Sequence, residues 1–161
     1  MNAEEVERAL KPLIGKSWSS IGRSVDLVWL QFGQMRQVPS IDGGKKWVGE
    51  WALHLQCPWR VVRNERDFLA SKDMWLDADG KPMARMPDDP FGTLFDDTVW
   101  WLRQNLPRNA PWIKSVATFE TSGFVLLLSD LSKIEVTTHG KGEQWRLFRP
   151  ATEHPHFVAE C

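Results

Sequence analysis

The stretch Trp47-Val-Gly-Glu-Trp-Ala-Leu-His-Leu-Gln-Cys-Pro-Trp-Arg-Val61 decides the fold class. Trp47, Gly49, Trp51, Leu53, Leu55, Cys57, Trp59 and Val61 fill every odd position. Val48, Glu50, Ala52, His54, Gln56, Pro58, Arg60 and Val62 fill the even ones. Side chains of a strand point alternately to its two faces, so this period of two predicts a strand with one buried face. Pro58 has no N–H to give to a ladder. The pattern therefore predicts one long bent strand, or two strands that meet at Pro58.

The rest of the chain reads outward from this strand. Downstream of Pro111, short apolar runs at about 112–120, 123–129, 133–138 and 144–149 are separated by turns such as Ser129-Asp-Leu-Ser-Lys133 and Thr138-His-Gly-Lys-Gly-Glu143. That spacing predicts an antiparallel meander, with His156-Phe-Val158 as a last edge strand. Upstream, residues 17–32 read as one extended segment, apolar on both faces near its end and so central. Residues 34–46, with Pro39 and Asp42-Gly-Gly-Lys45, read as a loop or an open hairpin turn.

Two helices are predicted. Asn2 can cap one from Ala3 to about Lys11, with Val6, Ala9, Leu10 and Leu13 on one face. Thr93 opens the other. Its hydroxyl can accept from the Asp96 amide, and Asp96 and Asp97 suit the positive helix start. Leu94, Phe95, Val99, Trp101, Leu102 and Leu106 share its broad apolar face, and Trp100 projects to the opposite side. Leu106-Pro-Arg-Asn-Ala-Pro111 ends it. Residues 63–92 are polar and read as a long irregular region, with a turn at Asp77-Ala-Asp-Gly80. The expected fold is α+β: a mostly antiparallel twisted sheet of about six to eight strands, with two helices packed against it.

Composition bounds the function. The 161 residues suit a single domain over 1–161. Lys plus Arg is 20 and Asp plus Glu is 21, a net charge of −1, which argues against a nucleic-acid partner. No apolar run reaches the roughly 18 residues of a membrane span, so no membrane partner is expected. The start, Met1-Asn-Ala-Glu-Glu-Val-Glu7, is acidic and unlike a signal peptide. With two cysteines, Cys57 and Cys161, a cytoplasmic chain with reduced thiols is expected. Ten tryptophans and no tyrosine set the chain apart.

Catalytic and metal signatures are weak. His54 and Cys57 stand three apart and point to opposite faces of a strand, so they cannot chelate together. His154 and His156 offer a pair without further ligands. Asp77-Ala-Asp-Gly80 begins like a calcium loop, but its third acidic position is Lys81, and Asp88 stands at the twelfth position where such a loop has Glu. There is no G-x-S-x-G and no phosphate loop. Cys57 reads as an inert core thiol, and the pairs Asp88-Asp89 and Asp96-Asp97 read as caps and turns. No cofactor, metal site or catalytic residue is expected.

Two surfaces stay open as binding sites. Between Asp73 and Asp97 seven aspartates stand against Lys81 and Arg85, a net charge of −5. Asp88, Asp89, Asp96 and Asp97, with the outward Trp100, could face a basic protein partner and speed its docking. The even face of the strand at 47–61 offers Glu50, His54, Gln56 and Arg60, joined by Glu135 or Arg146 if neighbouring strands align. That face could serve a small enzyme or ligand-binding module, or could simply be solvated. A third possibility is a structural subunit that self-associates through an apolar patch.

The run Trp51-Ala-Leu-His-Leu-Gln-Cys-Pro-Trp-Arg60 resembles a group of small bacterial proteins of unassigned function that carry a W-A-L-H-(L/V)-Q-C-P-W-R strand. The resemblance extends to Phe32-Gly33, Ser71-Lys-Asp73 and the portion from Glu143-Gln-Trp-Arg-Leu-Phe148 to His156-Phe-Val158, about half of the chain. It brings no catalytic residues. Residues 78–111 are an elaboration beyond the shared pattern. In size and acidic patch the chain is also similar to immunity proteins, which bind and block a toxin. That likeness implies a non-enzymatic protein whose partner is a basic toxin domain.

Overall fold

The alternating run is cut twice, at Gly49-Glu50 and again at Gln56-Cys57-Pro58, so it yields strands in three different sheets. In the computed structural model, which describes residues 1–88, 91–119 and 121–161, the strands are β1 (Trp18–Ser24), β2 (Leu27–Phe32), β3 (Arg36–Pro39), β4 (Lys45–Val48), β5 (Trp51–Leu55), β6 (Trp59–Arg63), β7 (Arg66–Ala70), β8 (Ile113–Thr118), β9 (Phe124–Leu128), β10 (Lys133–Val136), β11 (Glu143–Phe148) and β12 (Phe157–Glu160). The helices are α1 (Ala3–Leu10) and α2 (Leu94–Asn109), with short 3-10 turns at Lys11–Leu13 and Ser71–Trp75.

The fold is α+β with antiparallel sheets. It is not one sheet of six to eight strands. One five-stranded sheet runs β1-β2-β5-β11-β12, a second runs β7-β6-β10-β9-β8, and β3 and β4 pair alone. The reason lies at Pro58. The Gln56 amide donates to the Gln144 carbonyl at 2.9 Å, and the Thr137 amide donates to the Pro58 carbonyl at 2.9 Å. The pairs β5–β11 and β6–β10 are therefore one double strand that turns a corner between the sheets. Strands that switch sheets through a bend are a known way to build such corners. The late strands fall where expected, but β11 has passed to the first sheet, with β12 as its edge.

Three further differences have local causes. Residues 17–32 form a hairpin, not one strand, because Val25 adopts φ 56° in the two-residue turn between β1 and β2. Residues 63–92 are not wholly irregular. Asn64 and Glu65 take φ 51° and 61°, the positive pair of a type I′ hairpin turn, and return the chain as β7. Helix α2 also runs past Leu106 to Asn109, because Pro107 lies in the last turn and removes a single N–H there.

The two sheets share one core. Leu30, Phe32, Leu53 and Leu147 meet Leu69, Leu126, Ile134 and Val136, all buried. Trp145 is fully buried; it lies 5.0 Å edge-on to Phe124, and its Nε1–H donates to the Ser122 carbonyl at 2.9 Å. Helix α2 packs on β1 and β7, the leading edge strands of the two sheets, and supplies Phe95, Val99, Leu102 and Leu106. Helix α1 packs on β8 and supplies Val6 and Leu10.

Candidate functional site

Helix α2 begins as its sequence predicts. The Thr93 hydroxyl accepts from the Asp96 amide at 3.1 Å, and the Asp96 carboxylate accepts from the Thr93 amide at 3.2 Å. Asp96 then turns inward. Arg23 grips it with two bonds, Nε to Oδ1 at 2.7 Å and Nη2 to Oδ2 at 2.8 Å, with both side chains almost wholly buried. Arg23 Nη1 also donates to the carbonyls of Val25 and Pro87 at 2.9 and 3.1 Å. One guanidinium thus ties the first hairpin, the polar segment and the start of α2 together. Asp96 is a structural anion and is not presented to a partner.

The other acidic residues divide in the same way. Asp73 is buried, its carboxylate accepts from the Ala70 amide at 2.9 Å, and burial raises its pKa. Asp77 holds its turn by accepting from the Asp79 and Lys81 amides, each at 2.9 Å. Asp79, Asp88 and Asp97 are exposed. Asp89 lies outside the described residues.

Along the same stretch of chain, several aromatic residues face water. Trp100 is 61% exposed, as its place on the helix predicts. Trp101, expected on the apolar face, is 46% exposed, with its ring 5.9 Å edge-on to Phe68. Leu102 has the inward position, since one residue is a rotation of about 100°. Trp75 is 45% and Phe91 70% exposed. Trp75 is anchored by its backbone, whose carbonyl accepts from the Met83 amide at 2.8 Å. The sequence reading missed Trp75, Phe91 and Trp101; their position within the acidic run, or just after it, was the available signal. Trp47, expected in the core, is also exposed, because it points away from the face of β4 on which Val48 is buried.

The polar row of the long strand does not assemble. Glu50 sits in the turn before β5, bonded to Lys16 Nζ at 2.5 Å and to the Gln34 amide at 3.1 Å. Lys16, then the Gln34 amide, hold its carboxyl below the usual range. His54 is half-buried on β5, directly opposite Trp29 and Arg146. Its ring stands 4.7 Å edge-on to Phe148. Burial, then the Arg146 charge, lower its pKa. Gln56 is exposed beyond the strand end. Arg60 lies past the corner, opposite Glu135 in the second sheet, and bonds it at 2.6 Å. Both suggested neighbours do align, but on different sheets.

What β5 and β11 bring together is a smaller group. Arg146 holds Glu143 with bonds of 3.0 and 2.8 Å, and its Nη1 lies 3.3 Å from His156 Nδ1. Phe148 stacks on His156 at 4.7 Å. These contacts satisfy one another. Cys57 is buried, which pushes its thiol up to about 12, while Cys161 is exposed. Among the described residues no three His, Cys, Asp or Glu side chains are placed to hold a metal ion, and no helix is long and apolar enough to cross a membrane. No protein-family model, curated protein or solved structure matches the chain.

Proposed function

We propose that this chain is a cytoplasmic, non-enzymatic binding protein that covers a basic surface of another protein, as an immunity protein covers a toxin. One observation carries the reading. Trp75, Phe91, Trp100 and Trp101 are exposed on the same stretch of chain as Asp88 and Asp97. Aromatic anchors supply most interface energy, and rim carboxylates steer a cationic partner. The buried Arg23–Asp96 pair favours this role because it holds the segment in place before docking, which lowers the ordering cost. A ligand module on Glu50, His54, Gln56 and Arg60 has less support, since these four side chains do not converge.

The test is affinity capture from native extract with wild type and with a Trp100→Ser/Asp97→Lys double variant. Both are run at low salt and at about 0.5 M salt, where the Debye length falls to a few Å. A basic protein held by wild type, released by salt and not held by the variant supports the proposal. Equal capture by the variant contradicts it.

A further inference from the structure

A cleft of about 300 Å³ opens between α1 and the first sheet, with no residue of α2 in its lining. Trp51, Leu147 and Phe157 form its apolar wall, and Ala9 and Pro12 close it from the helix side. Its volume lies at the small end of the range for ligand sites, roughly 300–1,000 Å³. Most of its wall is ring or aliphatic carbon. A wall of this kind favours a flat π system, which can stack or stand edge-on with the lining rings.

Arg8 is the charged group at its rim. Arg8, His154 and His156 line it, and no carboxylate does among the described residues. Arg8 stands in the last turn of α1 and makes no hydrogen bond or ion pair with a described residue. His156 accepts from Arg146 through Nδ1 at 3.3 Å, so in the neutral ring its proton sits on Nε2 and is available to donate. His154 is held by two contacts: its ring is 5.3 Å edge-on to Trp51, and its Nδ1 lies 2.9 Å from the Pro155 carbonyl. Arg149 lies over the Trp51 ring, 5.6 Å from its centroid, and adds to the positive potential there.

We propose that this cleft binds a small aromatic carboxylate. The ring system enters between Trp51 and Phe157, and the carboxylate meets the Arg8 guanidinium, whose fork matches it. The site is independent of the protein-binding face proposed above.

2-Naphthoate is the probe, with 2-naphthamide and cyclohexanecarboxylate as controls, titrated calorimetrically against the full chain. 2-Naphthoate is expected to bind at least tenfold tighter than either control. Arg8→Gln, a surface change, removes the preference for acid over amide. Ala9→Trp fills the cleft and abolishes binding of all three. Saturation-transfer contacts from the naphthyl protons to the Trp51 and Phe157 rings in wild type test the location without any variant. No binding up to about 5 mM, equal affinity for acid and amide, or contacts to other rings would each overturn the proposal.

Discussion

Both helices open with the same capping device, yet the two versions differ in what they do. In α1 the Asn2 side chain accepts from the Glu5 amide at 3.0 Å, and the Glu5 carboxylate accepts from the Asn2 amide at 3.0 Å, all in solvent. In α2 Thr93 and Asp96 make the same reciprocal pair, but buried, and Arg23 closes on the carboxylate. An exposed cap contributes about 1 kcal/mol. Removing one member of a buried, hydrogen-bonded ion pair costs about 3–5 kcal/mol, because the other charge is left in a low-dielectric site. The same motif is thus a local signal at one helix and a keystone for three segments at the other. It also separates Asp96 from Asp97: one holds the fold, and its neighbour stays exposed to solvent.

The sharpest way to break this comparison is to remove Asp96. Asp96→Ala is expected to lower the unfolding free energy by about 3–5 kcal/mol in urea titration. Arg23→Ala should do the same, since each leaves the other charge unpaired. A loss no larger than that of a solvated cap would erase the difference between the two helices. Next in size is Trp100→Ala. Its stability should stay within about 0.5 kcal/mol of wild type, while affinity for the captured partner falls by at least about 2 kcal/mol, roughly thirtyfold. Asn2→Ala follows, with an expected loss of about 1 kcal/mol.

The smallest effect concerns the exposed counterpart of the buried pair, Lys16 with Glu50, whose side chains keep 35% and 32% of their exposure. The Glu50 carboxyl is held below its ordinary value of 4.5. A depressed acid contributes stability that is present above the unfolded value and is lost as pH falls through the folded one. Lys16→Met should therefore flatten the acid limb below about pH 4.5, by less than about 1 kcal/mol because water screens the pair. An effect as large as that of Asp96→Ala would show that solvent exposure does not set the scale.

Features fixed by neighbours in the chain were legible. The Thr93 cap, the outward Trp100, the strands after Pro111 and the break at Pro58 follow from period, capping chemistry and the missing proline N–H. The hairpin at Val25 was not legible, because a β-branched residue in the left-handed region carries no turn signal. The division into two five-stranded sheets was hidden too. It depends on β10 and β11 turning the same corner as β5 and β6, which is a matter of pairing between distant strands. The candidate site divides along the same line. Exposure of Trp100 could be read from helix geometry, but the loss of Asp96 to Arg23 could not, since 73 residues separate them. Arg146 joins the polar row only if the neighbouring strands align, and the corner carries Arg60 away from His54 and Arg146.

The central claim is that the acidic, aromatic face around α2 docks a basic partner. Hydrogen–deuterium exchange on the complex with the captured protein tests it most directly. Protection gained at residues 91–104 and at Trp75, with β5 and β11 unchanged, is the predicted result. Protection centred instead on His54 and Arg146, with Trp100 and Asp97 still exchanging as in the free protein, would contradict it.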